Sequence, residues 1–257
     1  MYTFSDLVDI IARLRGEGGC PWDAEQTHES IKKNLIEEAY EATEAIDSGK
    51  GEVMADELGD LLLQIVFHAQ IGKEDGEFTI ADVTNAVCEK MIRRHPHVFA
   101  DTTVENSDEV LVNWEKIKKQ EKGQKSATES MLSVSKYLPA LMRAGKVQEK
   151  AAKVGFDWEN PEEALQKVRE ETEELSRALK ENSNIEEEIG DLLFATVNTA
   201  RLAGVDAEEA LVGATLKFIK RFTFVEENAH KQGKKLDTMT INEMDELWNM
   251  SKMSEDE

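Results

Sequence analysis

The feature that most constrains the fold is a pair of helical segments with regularly spaced carboxylates, and this pair occurs twice. In the second copy, Val168 to Gly204, Glu171 and Glu174 lie three residues apart, as do Glu188 and Asp191. On a helix of about 3.6 residues per turn, this spacing puts both carboxylates of each pair on one face. Antiparallel packing of the two segments would bring four like charges together, and they would repel unless a multivalent cation neutralised them. The stretch therefore predicts a site for a hard cation such as Mg²⁺ or Mn²⁺.

Acidic pairs at this spacing also arise without any function. Because 33% of the residues are charged, a solvated helix face is the better interpretation of one such pair alone. Asp191 argues against that interpretation, since it stands in the apolar run from Ile189 to Val197, where an unpaired carboxylate is costly. The repetition of the whole arrangement argues against it more strongly.

The earlier copy spans Leu35 to Gly72. Its acidic positions match those of the second copy at a shift of 133 residues in the first segment (171 − 38) and 131 in the second (188 − 57). These positions are Glu38, Glu41, Glu57 and Asp60. A basic motif also recurs downstream, as KMIRR ending at Arg94 and as KFIKR ending at Arg221. Two copies of one α-helical module are therefore predicted.

The length of 257 residues suits two domains, each with its own small core. The segment 121–130 is polar and poor in apolar residues, which is typical of a linker. We therefore expect an N-terminal domain at 1–120, a linker at 121–130 and a C-terminal domain at 131–257. The last residues, 254–257, are acidic and are expected to form a frayed tail.

Composition narrows the classes of partner. The net charge of −22 argues against binding to nucleic acid or to an anionic membrane surface. No apolar run is long enough to span a bilayer, and the N-terminal residues do not resemble a signal peptide. The only cysteines, Cys20 and Cys88, show no metal-binding pattern. Together these features favour a cytoplasmic protein with free thiols.

Helical periodicity and capping residues predict an all-α chain, because strand signals are nearly absent. The two acidic helices of the first copy are expected at about 30–47 and 52–71, the latter ending at Gly72. A further helical pattern covers Leu132 to Lys153 and contains Pro139 as a kink or a start. Trp22 is interpreted as a core anchor or as the wall of a site, and the sequence alone favours the core. Candidate N-cap residues are Thr3, Thr79, Asn160, Asp206 and Thr240.

These motifs resemble the MazG family of nucleoside triphosphate pyrophosphohydrolases, whose signature is EExxE followed by ExxD. The signature stands here as EEAYE with ELGD and again as EETEE with EIGD. Flanking segments such as CPWDAEQTH, RRHPHVF and KVGFDW are similar to those of the two-domain members. The resemblance implies two tandem all-α modules of the four-helix-bundle type, completed by homodimerisation. It also implies Mg²⁺-dependent hydrolysis of (deoxy)nucleoside triphosphates to monophosphate and pyrophosphate, with Mn²⁺ as a possible substitute.

The family pattern, carried over by position, also implies a broad base specificity, a role in cleaning the nucleotide pool, and roles for individual residues. The implied metal ligands are Glu171, Glu174, Glu188 and Asp191 in the second half and Glu38, Glu41, Glu57 and Asp60 in the first. The implied catalytic carboxylates are Glu170, Glu171 and Glu174, and which of them acts as general base is left open, as is catalysis by the first half. The implied nucleotide contacts are Lys167, Val168, Arg169, Glu170, Glu171, Asn184, Ile185, Glu186, Glu187, Asp191, Lys217, Phe218, Ile219, Lys220, Arg221 and Trp248.

Three alternatives compete with this interpretation. A ferritin-like di-iron bundle needs Glu-x-x-His pairs, but Asp60 and Asp191 stand where the histidines should be. A nucleotide-sensing or scaffold module without turnover remains open, above all for the first half. A dUTP-specific pyrophosphatase would use the same chemistry, and only substrate competition separates it from a broad enzyme.

Overall fold

The structure is a computed structural model that describes residues 1–121, 123 and 126–253. Over these residues it contains helices and no strand, so the all-α prediction is confirmed. The chain divides into two compact units, Met1–Lys122 and Gly123–Glu257. Part of the predicted linker and the predicted frayed tail lie outside the described residues. Within the linker, Ser126 already caps a helix that begins at Ala127.

The first unit is built around a helical hairpin. Its helices are α1 (Phe4–Arg15), α2 (Pro21–Glu25), α3 (His28–Ser48), α4 (Gly51–Glu74), α5 (Ile80–Arg94), α6 (Pro96–Phe99) and α7 (Ser107–Glu121). Helices α3 and α4 pack along each other, and α1 packs on α4. Gly49 ends α3 with φ +65°, a left-handed conformation that favours glycine and permits the sharp reversal. The hydrophobic core of this unit is formed by Ile11, Ile31, Val66, Phe67 and Ile71.

The second unit repeats the hairpin. Its helices are α8 (Ala127–Leu132), α9 (Ala140–Ala152), α10 (Pro161–Glu181), α11 (Ile185–Leu202), α12 (Ala207–Lys231) and α13 (Ile241–Met253), with a 3₁₀ turn at Leu236–Thr238. Helices α10 and α11 form the hairpin, and α9 packs against both α11 and α12. The reversal uses Asn182 and Asn184, both at φ 52°, where asparagine is tolerated better than most residues. A core cluster of Val225, Ala229 and Leu247 joins α12 to α13.

The predicted helix starts are confirmed. At each one, a side-chain oxygen accepts a hydrogen bond from a backbone N–H of the first turn, which satisfies one of the unpaired donors there. The caps are Thr3, Thr79, Asn160, Asp206 and Thr240. Among the helices that the structure describes, none is both long and apolar enough to cross a membrane.

Pro139 was predicted as a kink or a start, and the structure has it as a start. Helix α9 begins at Ala140, directly after Pro139, which lacks the N–H that a helix interior needs, so the pattern from Leu132 to Lys153 is divided between the end of α8 and α9. Two local predictions were wrong. Helix α4 does not end at Gly72 but continues to Glu74. Trp22 is 62% exposed and does not lie in the core, since it stands in the one-turn helix α2.

Gly72 is the position in α4 where a larger residue would not fit. A Cβ built there would lie 2.6 Å from the Phe78 ring, and the Gly72 carbonyl accepts hydrogen bonds from the backbone N–H groups of Glu77 and Phe78. We expect Gly72→Ala to destabilise the first unit by about 1–3 kcal/mol, the usual cost of overpacking. Urea unfolding followed by circular dichroism measures this change.

Gly59→Ala is the matched control, because Gly59 lies in the same helix and a Cβ there meets nothing within 4 Å. It should be neutral or stabilise the helix by about 0.5–1 kcal/mol, the usual gain of alanine over glycine. Equal unfolding midpoints for Gly72→Ala and Gly59→Ala would show that the Phe78 contact does not constrain α4.

Candidate active site

In the second unit, the hairpin brings three of the predicted metal ligands together. One carboxylate oxygen from each of Glu171, Glu174 and Glu188 lies within 4.8 Å of the others. Glu171 is only 5% exposed, and the other two are half-buried. Asp191 is exposed and, among the described residues, is not part of this group. We call Glu171, Glu174 and Glu188 the second acidic cluster.

The first unit contains a matching group. One carboxylate oxygen from each of Glu38, Glu41 and Glu57 lies within 4.8 Å of the others. Asp60 is exposed and stands outside the group among the described residues, as Asp191 does in the second unit. The two hairpins thus place the acidic residues of the sequence repeat in equivalent positions. We call this group the first acidic cluster.

Desolvation and the repulsion between carboxylates raise the pKa of three carboxyl groups in the two clusters. Desolvation, followed by the charges of Glu174 and Glu171, raises the pKa of the Glu188 carboxyl. In the first cluster, desolvation and then the neighbouring carboxylates raise the pKa of Glu38 and of Glu57. Each cluster therefore favours whatever brings positive charge to it, a proton or a metal cation.

Lys167 supplies positive charge to the second cluster. Its Nζ lies 2.8 Å from an oxygen of Glu171, one helical turn away, and 2.9 Å from an oxygen of Glu170. The hydrogen bonds to these two carboxylates raise the pKa of Lys167, with Glu171 the larger cause. A carboxylate as buried as Glu171 needs such a partner. The first unit has Asn34 at the equivalent position (167 − 133), so this ion pair belongs to the second unit alone.

A cavity of about 740 Å³ opens beside the second acidic cluster. Its polar lining includes Lys167, Glu171 and Asp191. Phe156 and Trp158 also line it, and they come from the loop between α9 and α10. They are 82% and 47% exposed. A concave site of this size, with aromatic walls and a few charged groups, is typical of a small-molecule site.

Sequence reasoning missed three polar residues near this cavity. Gln148 on α9 lines it, is 7% exposed, and donates from Nε2 to the Phe194 carbonyl at 2.8 Å. Asn198 also lines it, and its Oδ1 accepts from Arg201 at 3.1 Å and 2.8 Å. Arg201 in turn pairs with Asp157, which ties the aromatic loop to α11.

The sequence did contain a signal for two of these residues. Gln148 lies four residues after Ala144 and seven after Leu141, so it is a polar residue in the apolar stripe of α9. Asn198 lies seven residues after Asp191, which places both on one face of α11. A polar residue at an apolar helical position therefore indicates a candidate site residue.

The other predicted nucleotide contacts lie on several elements. Val168 and Arg169 follow Lys167 on α10, and residues 217–221 lie on α12. Asn184 is the N-cap residue of α11, and residues 185–187 belong to the first turn of that helix. Trp248 packs on Phe218 at a ring-centroid distance of 5.1 Å and against the core cluster between α12 and α13. The cavity lining, as far as the structure describes it, does not include Trp248 or residues 217–221. Their contact with nucleotide stays a prediction.

Comparison with known proteins places this geometry in a family. The MazG nucleotide pyrophosphohydrolase domain matches residues 26–99 and 159–225, one match on each hairpin. The chain is 48% identical over 249 residues to the nucleoside triphosphate pyrophosphohydrolase/pyrophosphatase MazG of Thermotoga maritima, covering 97% of this chain and 95% of that protein. It is 44% identical over 260 residues to the nucleoside triphosphate pyrophosphohydrolase of Escherichia coli K12, covering 99% of each. The chain belongs to the MazG family of nucleotide pyrophosphohydrolases, as its sequence motifs predicted.

The raised pKa of Glu188 gives a pH dependence with a definite sign. Since its pKa in the folded state lies above its ordinary value, the folded chain binds more protons than the unfolded chain between these two values. In EDTA, we therefore expect the melting temperature of the second unit to rise as the pH falls from about 7 to about 5, a window that lies above the ordinary carboxyl pKa values. Glu188→Gln should flatten this rise.

Glu243→Gln is the matched control for this experiment. The pKa of Glu243 is lowered to about 2, mainly by its hydrogen bond with Lys234, so Glu243 does not titrate in that window. Its replacement should shift all melting temperatures and leave their pH slope unchanged. An equal slope in wild type and Glu188→Gln would contradict the repulsion inferred for the second cluster.

Proposed function

We propose that this chain hydrolyses nucleoside triphosphates to nucleoside monophosphate and pyrophosphate in a Mg²⁺-dependent reaction carried out by the second unit. The observation that carries the proposal is the position of the second acidic cluster, with buried Glu171, at the polar lining of a nucleotide-sized cavity. The relatives in Thermotoga maritima and Escherichia coli are named for this activity on nucleoside triphosphates. We further propose that the enzyme tolerates many bases and removes unwanted nucleotides from the pool.

The donor set fits a hard divalent cation. The second acidic cluster offers carboxylate oxygens only, at mutual distances of up to 4.8 Å. We propose Asp191, one turn after Glu188 on α11, as the fourth ligand. All-oxygen sites with water in the remaining positions are typical of Mg²⁺, with Mn²⁺ a substitute. The cation would neutralise charge on the triphosphate and orient it for attack.

The residues of the chain then have separate tasks. Glu170, Glu171 and Glu174 are the carboxylates near enough to the cluster to orient or deprotonate the attacking water. Lys167 stabilises the Glu171 carboxylate. When a metal cation compensates the negative charge of Glu171, the Lys167 ammonium group can instead bind an anionic phosphate group. Additional phosphate contacts are proposed for the basic positions of α12, because lysine and arginine donate strong charge-assisted hydrogen bonds to phosphate. These positions are Lys217, Lys220 and Arg221.

The first unit is organised differently around its own acidic cluster. Ile31 and Phe67 fill its core at the positions that Ala164 and Asn198 occupy in the second unit (164 − 31 is 133, and 198 − 67 is 131). We therefore propose that the first cluster, Glu38, Glu41 and Glu57 with Asp60, binds a cation without nucleotide turnover.

Two basic side chains of the first unit, Arg93 and Arg94, form ion pairs. Arg93 and Arg94 of KMIRR are the counterparts of the last two residues of KFIKR, and both bind the Glu121 carboxylate, at 2.6 Å and 2.5 Å. One carboxylate thus holds both arginine side chains of the first unit in ion pairs.

A product analysis tests the activity. We expect the purified chain, with Mg²⁺ and a panel of triphosphates, to release monophosphate and pyrophosphate, and EDTA to abolish the release. Glu171→Gln should lower kcat/KM by at least about 100-fold, because even residues that only orient metal ligands are worth about 10–100-fold. Anion-exchange chromatography separates the four products: monophosphate, diphosphate, pyrophosphate and orthophosphate.

Glu38→Gln is the matched control, since it makes the same change at the equivalent position of the first unit. It should leave kcat/KM unchanged. Diphosphate and orthophosphate as products would refute pyrophosphohydrolysis, and loss of activity in both variants would show that the two units act together. Mg²⁺-dependent binding without turnover would favour a sensing module, and turnover of dUTP alone would identify a dUTP-specific enzyme.

We also propose that the chain is a homodimer. In the second unit, several large apolar side chains of α11 and α12 are exposed to solvent. They are Ile189, Leu193, Leu211, Val212, Leu216, Ile219 and Phe222. An accumulation of exposed large apolar side chains favours an association site on these helices, and one helical hairpin buries little area by itself. A second copy would complete a four-helix bundle on this surface.

Light scattering after size exclusion tests the dimer. Wild type is expected at twice the mass of one chain, whereas Leu216→Glu should shift it towards the monomer, because an unpaired charge in an apolar interface is costly. Ser176→Glu adds the same charge at an exposed polar position of α10 and should remain dimeric. A monomeric wild type, or a dimeric Leu216→Glu, would contradict the proposal.

A further inference from the structure

One buried polar atom in the second unit has no partner. Gln148 Oε1 is inaccessible to solvent and accepts no hydrogen bond within the part of the chain that the structure describes. The cost of such an unsatisfied acceptor is substantial. The other end of the same amide is held firmly, since Nε2 donates to the Phe194 carbonyl at 2.8 Å. This bond fixes which atom is the donor, so the oxygen remains as the acceptor.

The place of Gln148 suggests what satisfies this acceptor. Gln148 lines the same cavity as Glu171 and Asp191, but it comes from α9, whereas the carboxylates come from the hairpin α10 and α11. The lining thus combines charged side chains of the hairpin, including Lys167, with Gln148 and two aromatic rings. This combination suits a nucleotide, which has an anionic triphosphate and a flat, uncharged base.

The aromatic walls fit the flat part of such a ligand. Phe156 and Trp158 present large apolar surfaces to the cavity and to solvent, and stacking of a base on an aromatic ring is favourable for every base. The loop that carries them is held to α11 by the ion pair of Asp157 with Arg201. The walls are therefore positioned from the same helix that carries Glu188 and Asp191.

We propose that the nucleobase binds in this cavity against Trp158, and that Gln148 Oε1 accepts a hydrogen bond from an N–H group of the base. This inference rests on the proposed function, because it takes the substrate to be a nucleoside triphosphate. It assigns base binding to α9 and its following loop, separately from the contacts expected at Trp248.

A single acceptor accounts for broad base tolerance. Adenine and cytosine offer an exocyclic amino group, guanine offers an amino and an imino N–H, and uracil and thymine offer an imino N–H. Each natural base can thus satisfy Gln148, whereas a base with no N–H donor leaves it unpaired. A site built around a buried hydrogen-bonding group rejects ligands that lack the matching group.

The test compares ATP with purine riboside triphosphate, which lacks the amino group and so has no N–H on the base. For wild type, we expect KM to be about five- to tenfold higher with the purine analogue, in line with the loss of one neutral hydrogen bond. In Gln148→Met, which keeps the shape and removes the acceptor, the two substrates should have equal KM values.

Two further measurements make the result specific. Binding of the slowly hydrolysed analogue α,β-methylene-ATP, measured by calorimetry, should weaken in Gln148→Met and in Trp158→Ala. Gln64→Met replaces a buried glutamine of the first unit and should keep the wild-type preference for ATP. This control separates a base contact from a general effect of replacing a buried glutamine.

The outcomes are distinguishable. If wild type does not release pyrophosphate from any triphosphate, the proposed function fails. If wild type is active but Gln148→Met, folded with an unchanged circular dichroism spectrum, still prefers ATP over the purine analogue, only the base contact is refuted. Disappearance of the preference in Gln148→Met, with its retention in Gln64→Met, supports the contact.

Discussion

The structure depends on holding mutually repelling carboxylates close together. In each unit, a helical hairpin fixes three glutamates with oxygens up to 4.8 Å apart, and the raised pKa of Glu188 shows that the charged state is unfavourable there. The remaining structure compensates for this repulsion: the tight reversal at Asn182 and Asn184 sets the hairpin, and Lys167 neutralises the most buried carboxylate. Binding of a multivalent cation would relieve this repulsion, which is the physical basis of the metal site proposed above.

The equivalent hairpins of the two units pack against different interiors. In the first unit, Phe67 and Ile31 close the space behind the acidic cluster, and the result is a continuous hydrophobic core. In the second unit, the smaller Ala164 and the polar Asn198 leave that space to a cavity lined partly by α9. A difference of a few side-chain volumes therefore separates a unit with a hydrophobic core at these positions from one with a cavity there. The acidic signature alone does not distinguish the two.

Much of the fold was readable from the sequence because its determinants are local. Capping residues such as Asn160 act on the next turn of the chain, and acidic pairs at a spacing of three lie on one helix face whatever the tertiary structure. The cavity was not readable, because it depends on which side chains of α9 meet α11. Gln148 shows how far the sequence can be interpreted. Its position in an apolar stripe is visible in the sequence. That its Nε2 binds the Phe194 carbonyl while its Oε1 stays unpaired is visible only in the structure. The prediction that Trp22 lies in the core was wrong because aromatic character alone does not determine burial.

Helix α11 carries residues of the proposed metal site and also exposed apolar residues of the proposed association surface. Glu188, Asp191 and Asn198 lie towards the cluster and the cavity, while Leu193 and Ile189 are exposed on the helix. A partner that covers the exposed residues would restrict the helix that carries half of the proposed metal ligands. It would also lower water access near Asp191, and in a drier environment carboxylates bind a cation more strongly. The proposed dimer would therefore strengthen the proposed metal site without contributing any ligand to it.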